Sequence, residues 1–368
     1  MSRRPPLRIA VVGLGHFAQE FVLPAIAQLD DVELAGLVSG TPEKLEVLGK
    51  RYQVDARAGY DELERLLADA RIDIAYIAVP NDMHADLTVR AAKCGAHVLC
   101  EKPMAPTEEE CVAMMRACER ASVKLMIAYR LHFEAANLHA IELASEGELG
   151  ELRIFSSTFT MQVRAGNTRV QPRVGAGPLY DIGIYCINAA RYLFRCEPYE
   201  VVAMPLAHRS DERFQATDEA IAAILRFPGD RVATFVASYG AADTARYQLI
   251  GTEASLSLDH AYDLVETMKL EVVRDGKTST KSYRRRDQVG AEVEYFARCI
   301  RDNRDPEPSA VEGLADVRII LAIQEAGRTG RAVAVDRVED VTRPQPEQEL
   351  RVPMHGRPRL VDVEPPTR

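Results

Sequence analysis

The sequence predicts an α/β protein of two domains: a doubly wound parallel sheet first, then an α/β domain whose open sheet is mostly antiparallel. Three observations predict it. Short apolar runs alternate with helical patterns through the first third of the chain, a glycine-rich turn follows the first run, and near residue 150 strands begin to follow one another without helices between them. Strands alternating with helices build a parallel sheet covered on both faces, whereas a strand meander builds an open one.

In chain order, Leu7–Val12 is a continuous apolar run, as a strand buried on both faces requires, and Val32–Val38, Ile72–Val79, His97–Cys100 and Lys124–Ala128 repeat the pattern. Helical spacing falls between them at Phe17–Leu29, Glu43–Arg51, Asp61–Leu67, Ala85–Cys94 and Glu108–Ala121. The second half reads as strands at Leu152–Gln162, Glu200–Pro205, Glu219–Phe227, Arg231–Ser238, Tyr247–Ile250 and Leu270–Arg274, with Pro228-Gly229-Asp230 as a hairpin turn. Helices are expected at Tyr180–Phe194, Glu292–Asn303 and Val311–Thr329. The expected division is 1–130 for the first domain and 131–336 for the second, helix 311–329 being a candidate to pack back on the first. Residues 337–368, rich in Pro, Glu and Arg, read as an extended tail.

Composition narrows the function. At 368 residues, 47% hydrophobic and 27% charged, the chain has the balance of a packed protein, and its formal charge of −9 speaks against nucleic-acid binding. No apolar run reaches the roughly 18 residues of a membrane span. Arg3-Arg4 resembles the start of a twin-arginine signal, but a strand-like run follows where an apolar h-region should, so a cytoplasmic location is expected. The seven cysteines include no Cys-x-x-Cys pair and read as reduced, buried thiols, with Cys111 and Cys118 sharing one helix face.

Gly13-Leu14-Gly15-His16-Phe17-Ala18 joins the first strand to the first helix. Gly13 permits the tight turn, Gly15 lets a pyrophosphate approach the backbone, and Ala18 allows close helix–strand packing, so this reads as a Rossmann dinucleotide site, the other reading being an ordinary turn with no ligand. An NAD enzyme usually places an acid at the end of the second strand to hold the ribose 2′-OH. Asp30, Asp31 and Glu33 lie at the start of that strand instead, and its end reads Val38-Ser39-Gly40-Thr41 followed by Lys44. A hydroxyl and a cation without an acid favour a 2′-phosphate, so NADP is expected over NAD; Lys44 reads equally well as a solvated helix lysine. Pro80-Asn81-Asp82-Met83-His84 follows another strand at the same edge, where Asn81 and His84 are placed to meet the nicotinamide half.

Glu101-Lys102-Pro103 closes a further strand, and a lysine there suits hydride transfer because a cation or acid must stabilise alkoxide character at the reacting oxygen. Gly175-Ala176-Gly177 leads into Pro178-Leu179-Tyr180-Asp181-Ile182-Gly183-Ile184-Tyr185, in which Asp181 and Tyr185 are four apart and share a helical face. One reading makes Tyr185 the group that exchanges a proton with a substrate hydroxyl, with Asp181 orienting it. The other makes Asp181 a helix cap and Tyr185 a packed aromatic. A phenol ordinarily titrates near ~10, so base work at neutral pH calls for a nearby ammonium, a second task for Lys102.

These motifs, in this order, resemble the Gfo/Idh/MocA oxidoreductase family, and most of all its glucose–fructose oxidoreductase branch, over residues 7–336. The resemblance rests on Gly13–Ala18, Val38-Ser39-Gly40, Pro80–His84, Glu101-Lys102-Pro103, Tyr129-Arg130, Asp181-Ile182-Gly183-Ile184-Tyr185 and Ala326-Gly327-Arg328-Thr329-Gly330. It implies that Lys102, Asp181 and Tyr185 do acid–base work, and that cofactor contacts come from Gly13, Gly15, His16, Phe17, Ala18, Ser39, Gly40, Lys44, Pro80, Asn81, His84, Glu101, Lys102 and Arg130. Arg130 and His132 fall where relatives line the substrate pocket. Many relatives carry histidine in place of Tyr185, whereas the sugar oxidoreductase and dihydrodiol dehydrogenase-like branches carry tyrosine. Thr168, within Asn167-Thr168-Arg169, replaces an aromatic of the branch.

The expected activity is hydride transfer between NADP and a carbinol carbon, C1 of an aldose or a related sugar or polyol carbon. A keto-sugar reductase or dihydrodiol dehydrogenase is the enzymatic alternative. A non-catalytic NAD(P)-binding regulator is the alternative of another class, and would not need the Lys102, Asp181 and Tyr185 set. No metal centre is expected: His132, His139 and Glu142 read as a pocket edge and an exposed face. Arg284-Arg285-Arg286 reads as a solvated loop. The resemblance further implies a homodimer or homotetramer formed through the C-terminal sheet.

Overall fold

The computed structural model describes residues 4–367, so Arg3 of the Arg3-Arg4 pair lies outside the described residues. The chain forms two compact units. The first comprises residues up to Arg130 together with Asp287–Gly313 and Leu350–Pro365; the second comprises Leu131–Arg286, Leu314–Glu349 and the chain end.

In the first unit, strands β1 (Leu7–Val12), β2 (Val32–Val38), β3 (Arg57–Ala58), β4 (Ile74–Ile77), β5 (His97–Glu101) and β6 (Leu125–Ala128) form one parallel sheet in the order β3-β2-β1-β4-β5-β6. This is the doubly wound order, with its reversal between β1 and β4. The apolar runs predict these strands because both faces are covered, and Ile9, Ala10, Val11 and Val12 are fully buried. Such burial contributes about 1.5–3 kcal/mol for each large side chain. Strand β3, two residues long, carries no run for the sequence to show.

Helices α1 (Leu23–Gln28), α2 (Pro42–Tyr52), α3 (Leu63–Asp69), α4 (His84–Lys93) and α5 (Glu108–Ala121) connect these strands, and a π turn at Ala18–Val22 leads into α1. Thr107 and Glu110 cap α5 reciprocally: the Glu110 N–H donates to the Thr107 hydroxyl and the Thr107 N–H to the Glu110 carboxylate. A cap of this kind stabilises a helix by about 1 kcal/mol. Cys111 and Cys118 share the buried face of α5, as their spacing predicts.

In the second unit, helices α6 (Ala135–Ser145) and α7 (Ile184–Phe194) accompany a nine-stranded sheet. Its strands are β7 (Leu152–Thr160), β8 (Glu200–Leu206), β9 (Ala220–Phe227), β10 (Arg231–Ser238), β11 (Thr244–Gly251), β12 (Ala254–Asp259), β13 (Met268–Arg274), β14 (Lys277–Tyr283) and β15 (Val333–Ala334). They run in the order β14-β13-β12-β11-β7-β10-β9-β8-β15. Only β7 and β10 pair in parallel; every other pairing is antiparallel. The Pro228–Asp230 turn closes the β9–β10 hairpin, with φ of 75° at Gly229 and 53° at Asp230.

No strand is expected from the sequence at β12, β14 or β15, although β12 alternates, with Ala254, Leu256 and Leu258 buried between Ser255, Ser257 and Asp259. Strand β14 (KTSTKSY) is polar and exposed at the sheet edge, held by its backbone pairing with β13. The first unit regains the chain at α8 (Gln288–Arg301), and α9 (Ala310–Thr329) is the last long helix. Among the described residues, no helix is long and apolar enough to cross a membrane.

Candidate functional site

The carboxyl ends of the parallel strands gather most of the predicted cofactor residues in the first unit. Gly13 follows β1 with φ of 101°, and its N–H donates to the Val38 carbonyl at 2.9 Å. A Cβ at Gly13 would stand 2.3 Å from the Ala78 carbonyl oxygen, so only glycine lets this loop lie against the turn after β4. A Cβ at Gly15 would meet nothing within 4 Å. The loop therefore has room in front of a helix start, the cradle a pyrophosphate needs, and these residues fit a dinucleotide. Ala18 is buried, His16 Nε2 lies 2.9 Å from the Glu20 carboxylate, and the Phe17 ring packs on Phe21.

At the end of β2, the buried Ser39 accepts a hydrogen bond from the Thr41 N–H at 3.2 Å, which shapes the turn into α2. Gly40 lies against the Tyr60 ring. Lys44, on the first turn of α2, lies 3.8 Å from the Asp362 carboxylate. Pro80 and Asn81 open the short turn that precedes α4.

His84 is fully buried. Its ring nitrogens lie 2.9 Å from the carbonyl oxygens of Pro103 and Val79, and burial pushes its titration below the ordinary histidine range. It ties the loop after β4 to the loop after β5, so its contribution is to hold these two loops rather than to present a ring to a ligand.

Glu101 and Lys102 end β5. The Tyr76 hydroxyl donates to Glu101 at 2.8 Å and lies 3.2 Å from the Glu292 carboxylate of α8. A phenol has one proton and can satisfy one of these two acids, so the other must bring its own. Burial pushes Glu292 well up from the ordinary carboxyl range, and the charge of Glu101 adds to the effect. Burial thus favours the protonated form at Glu292. Glu101 is raised by burial too, with the neighbouring Lys102 pulling it the other way. Arg130 is buried and donates to the Gln288 side chain, at the start of α8.

In the second unit, Leu179–Gly183 is a π turn continuous with α7. Ten of the eleven α7 residues are buried, and Tyr185 is the one that is not. The Tyr185 ring rests against Phe159 and Tyr262, with centroids at 5.6 and 5.8 Å. Asp181 accepts from Arg169 Nε at 2.7 Å and from the Tyr239 hydroxyl at 2.9 Å. The charge of Asp181 raises the titration of Arg169, and Tyr185 is among the groups that act on it in the same direction. Asp181, Arg169, Tyr239 and Tyr185 form one cluster, a carboxylate fixed by a cation and a phenol beside a second, partly exposed phenol.

Sequence reasoning did not find Arg169 or Tyr239 as members of this cluster. They lie 12 and 58 residues from Asp181, and no local periodicity links them. The entry to the π turn needs its glycines, since Gly175 and Gly177 take φ of 74° and 96°. His132 is buried, with Nε2 2.8 Å from the Asn188 side-chain oxygen, and its ring packs edge-on against Tyr192. It belongs to a buried polar chain that continues through Asn188 to Asp316 and Arg191.

Comparison with known proteins agrees with both units. The profile for the GFO/IDH/MocA oxidoreductase family, NAD-binding Rossmann fold, matches residues 7–129, and that for the GFO/IDH/MocA C-terminal domain matches residues 137–257. The chain is 31% identical over 338 residues to a D-xylose 1-dehydrogenase [NADP(+)] of Haloarcula marismortui, covering 90% of this chain and 94% of the relative. It is 29% identical to a dTDP-3,4-didehydro-2,6-dideoxy-alpha-D-glucose 3-reductase of Saccharopolyspora spinosa, covering 89% and 99%. Among solved structures, an aldose–aldose oxidoreductase from Caulobacter crescentus, complexed with glycerol, is similar with a TM-score of 0.85 and 36% identity, covering 90% of this chain and all of that one.

Proposed function

The chain belongs to the GFO/IDH/MocA family of NAD(P)-dependent oxidoreductases, and from that premise we propose that it moves hydride between NADP and a carbinol carbon of an aldose or related sugar or polyol. The observation that carries the proposal is Tyr185, the one unburied residue of α7, standing beside the fixed carboxylate of Asp181.

NADP supplies the hydride acceptor when bound. Gly13, Gly15 and Ala18 would hold its pyrophosphate and Ser39 and Lys44 its adenosine phosphate, with Pro80 and Asn81 as further contacts toward the nicotinamide half. Lys44 and the lack of an acid at the end of β2 support NADP, as does the cofactor in the name of the xylose dehydrogenase relative. Tyr185 takes the proton from the substrate hydroxyl, and Lys102 supplies the cation that makes a phenol competent to do so. Asp181, held by Arg169 and Tyr239, orients the substrate. Arg130 and His84 hold the backbone and helix α8 around Glu101 and Lys102.

The outer face of the nine-stranded sheet supports self-association. Val202, Met204, Ile224 and Val236 are large apolar side chains left exposed there on neighbouring strands, and such patches mark interaction surfaces. A homodimer or homotetramer through this face is the proposed assembly, and light scattering on a Met204→Lys, Ile224→Lys variant tests it.

The activity is tested by following reduced-nicotinamide absorbance with NADP or NAD and a panel of aldoses, keto-sugars and diols. Oxidation of an aldose that Tyr185→Phe abolishes supports the reading. Reduction of a keto-sugar would reverse the direction, and cofactor binding with no turnover of any panel member would favour the regulator.

A further inference from the structure

Residues 350–365 are extended yet belong to the first unit, where they are laced along its first two helices. Val352 is buried; its carbonyl accepts from the Asp287 N–H, and Gly290 leaves it room because a Cβ there would come within 2.9 Å of it. The Gln28 side chain, at the end of α1, donates to the Pro353 carbonyl at 3.0 Å. The His355 ring packs edge-on against Phe21, and Arg51 of α2 donates to the Arg359 carbonyl.

The last anchor reaches the glycine loop. Gln19 is buried, and its carboxamide makes a reciprocal pair with Val361: the Val361 N–H donates to Oε1 at 2.7 Å and Nε2 donates to the Val361 carbonyl at 2.9 Å. The same Nε2 donates to the Leu14 carbonyl, between Gly13 and Gly15. The next residue, Asp362, points its carboxylate at Lys44. One side chain therefore separates the tail from the phosphate loop, and the tail places an acid on the cation in the first turn of α2.

We infer that residues 350–365 form a strap along the adenosine end of the cofactor site, and that Asp362 competes with a cofactor 2′-phosphate for Lys44, so that the tail sets the preference for NADP over NAD. The inference rests on the reading of Lys44 as the partner of the 2′-phosphate. An acid that ordinarily ends the second strand is here delivered by a segment more than 300 residues later in the chain. Lys44 keeps little exposure while Asp362 is 59% exposed, so the carboxylate is the member free to turn into water when a phosphate arrives. A pair this exposed is weak, and its exchange shifts affinity by a small factor rather than blocking the site.

The experiment measures the dissociation constants of NADP and NAD, by titration calorimetry at low ionic strength, for the full-length chain and for Asp362→Asn, Lys44→Ala and the double variant. Asp362→Asn is expected to tighten NADP by about two- to fivefold and leave NAD unchanged. Lys44→Ala is expected to weaken NADP by about tenfold, and Asp362→Asn to have no further effect in its presence. If Lys44→Ala weakens NADP selectively but Asp362→Asn leaves the ratio of the two constants unchanged, the role of the strap is refuted and the NADP reading stands. If Lys44→Ala leaves that ratio unchanged, the NADP reading falls and the competition with it. The melting temperature of each variant separates these outcomes from loss of fold.

Discussion

Arg169 Nε donates to the carboxylate of Asp181 at 2.7 Å, and this pair joins the loop that precedes the π turn to the turn itself. Arg169→Ala should remove the charged partner of Asp181 while the Tyr239 hydroxyl still donates to it. The expected result is a fall in kcat of about tenfold with little change in melting temperature, because both members keep partial exposure. Arg169→Lys, which keeps the charge but not the planar donor, should recover part of the loss. Steady-state kinetics on the identified sugar would check both.

Removing the Tyr185 hydroxyl should cost far more. Tyr185→Phe keeps the ring contacts with Phe159 and Tyr262, so the fold and the cofactor affinity should hold. Loss of a positioned proton acceptor lowers turnover by about 10²–10⁴-fold. A full retention of kcat would remove Tyr185 from the chemistry.

The two loop glycines should behave differently. Gly13→Ala places a Cβ 2.3 Å from a backbone oxygen at a φ of 101°, so it should lower the melting temperature as well as cofactor affinity. Gly15→Ala meets no protein atom and should leave the melting temperature unchanged while weakening nucleotide binding. Thermal denaturation with and without NADP distinguishes the two.

Glu292 should carry its proton at neutral pH. The unfolded chain loses that proton near ~4.3, whereas burial raises the folded value well above it. Between the two values the folded state binds more protons than the unfolded one, so the stability Glu292 contributes is complete below the lower value and declines as pH rises toward the higher. The slope is about 1.4 kcal/mol per pH unit for a full proton. Glu292→Gln, which cannot ionise but can still donate to Tyr76, should therefore gain on the parent chain as pH is raised from 4 to 7. Melting curves at each pH give this difference. Infrared spectroscopy should show the carbonyl band of a neutral carboxylic acid in the parent alone.

The buried Arg191–Asp316 pair, at 2.5 Å with neither side chain exposed, should be the most sensitive point of the second unit. Asp316→Ala leaves the Arg191 charge with Glu197 but strips one side of it and also removes the acceptor of the Asn188 side-chain N–H. The expected destabilisation is about 3–5 kcal/mol in chemical denaturation.

The parts of this molecule legible in the sequence are those whose cause is local. Leu7–Val12 and Val32–Val38 are apolar because both faces of the parallel sheet are covered, and their observed bounds are those the runs predict. Gly13 is legible because its backbone needs are local too. Strand β14 is not, because backbone pairing with β13 sustains it without an apolar side. Arg169 and Tyr239 meet at Asp181 only through the tertiary fold, so neither is marked by spacing. The tail reads as extended from its Pro, Glu and Arg content, and among its described residues Pro346–Gln348 forms a short turn; its fastening to Gln19 depends on a partner 342 residues away, which composition does not show.

Helix α7 has a further consequence. A helix enclosed on every side except at Tyr185 has almost no position at which a substitution is neutral, so variation that retunes substrate choice must accumulate elsewhere. The irregular segment 164–177, with its glycines and its exposed residues, has that freedom. Laboratory evolution toward new substrates should therefore collect its changes there and leave the helix untouched, separating what is heritable about the chemistry from what is adjustable about its range.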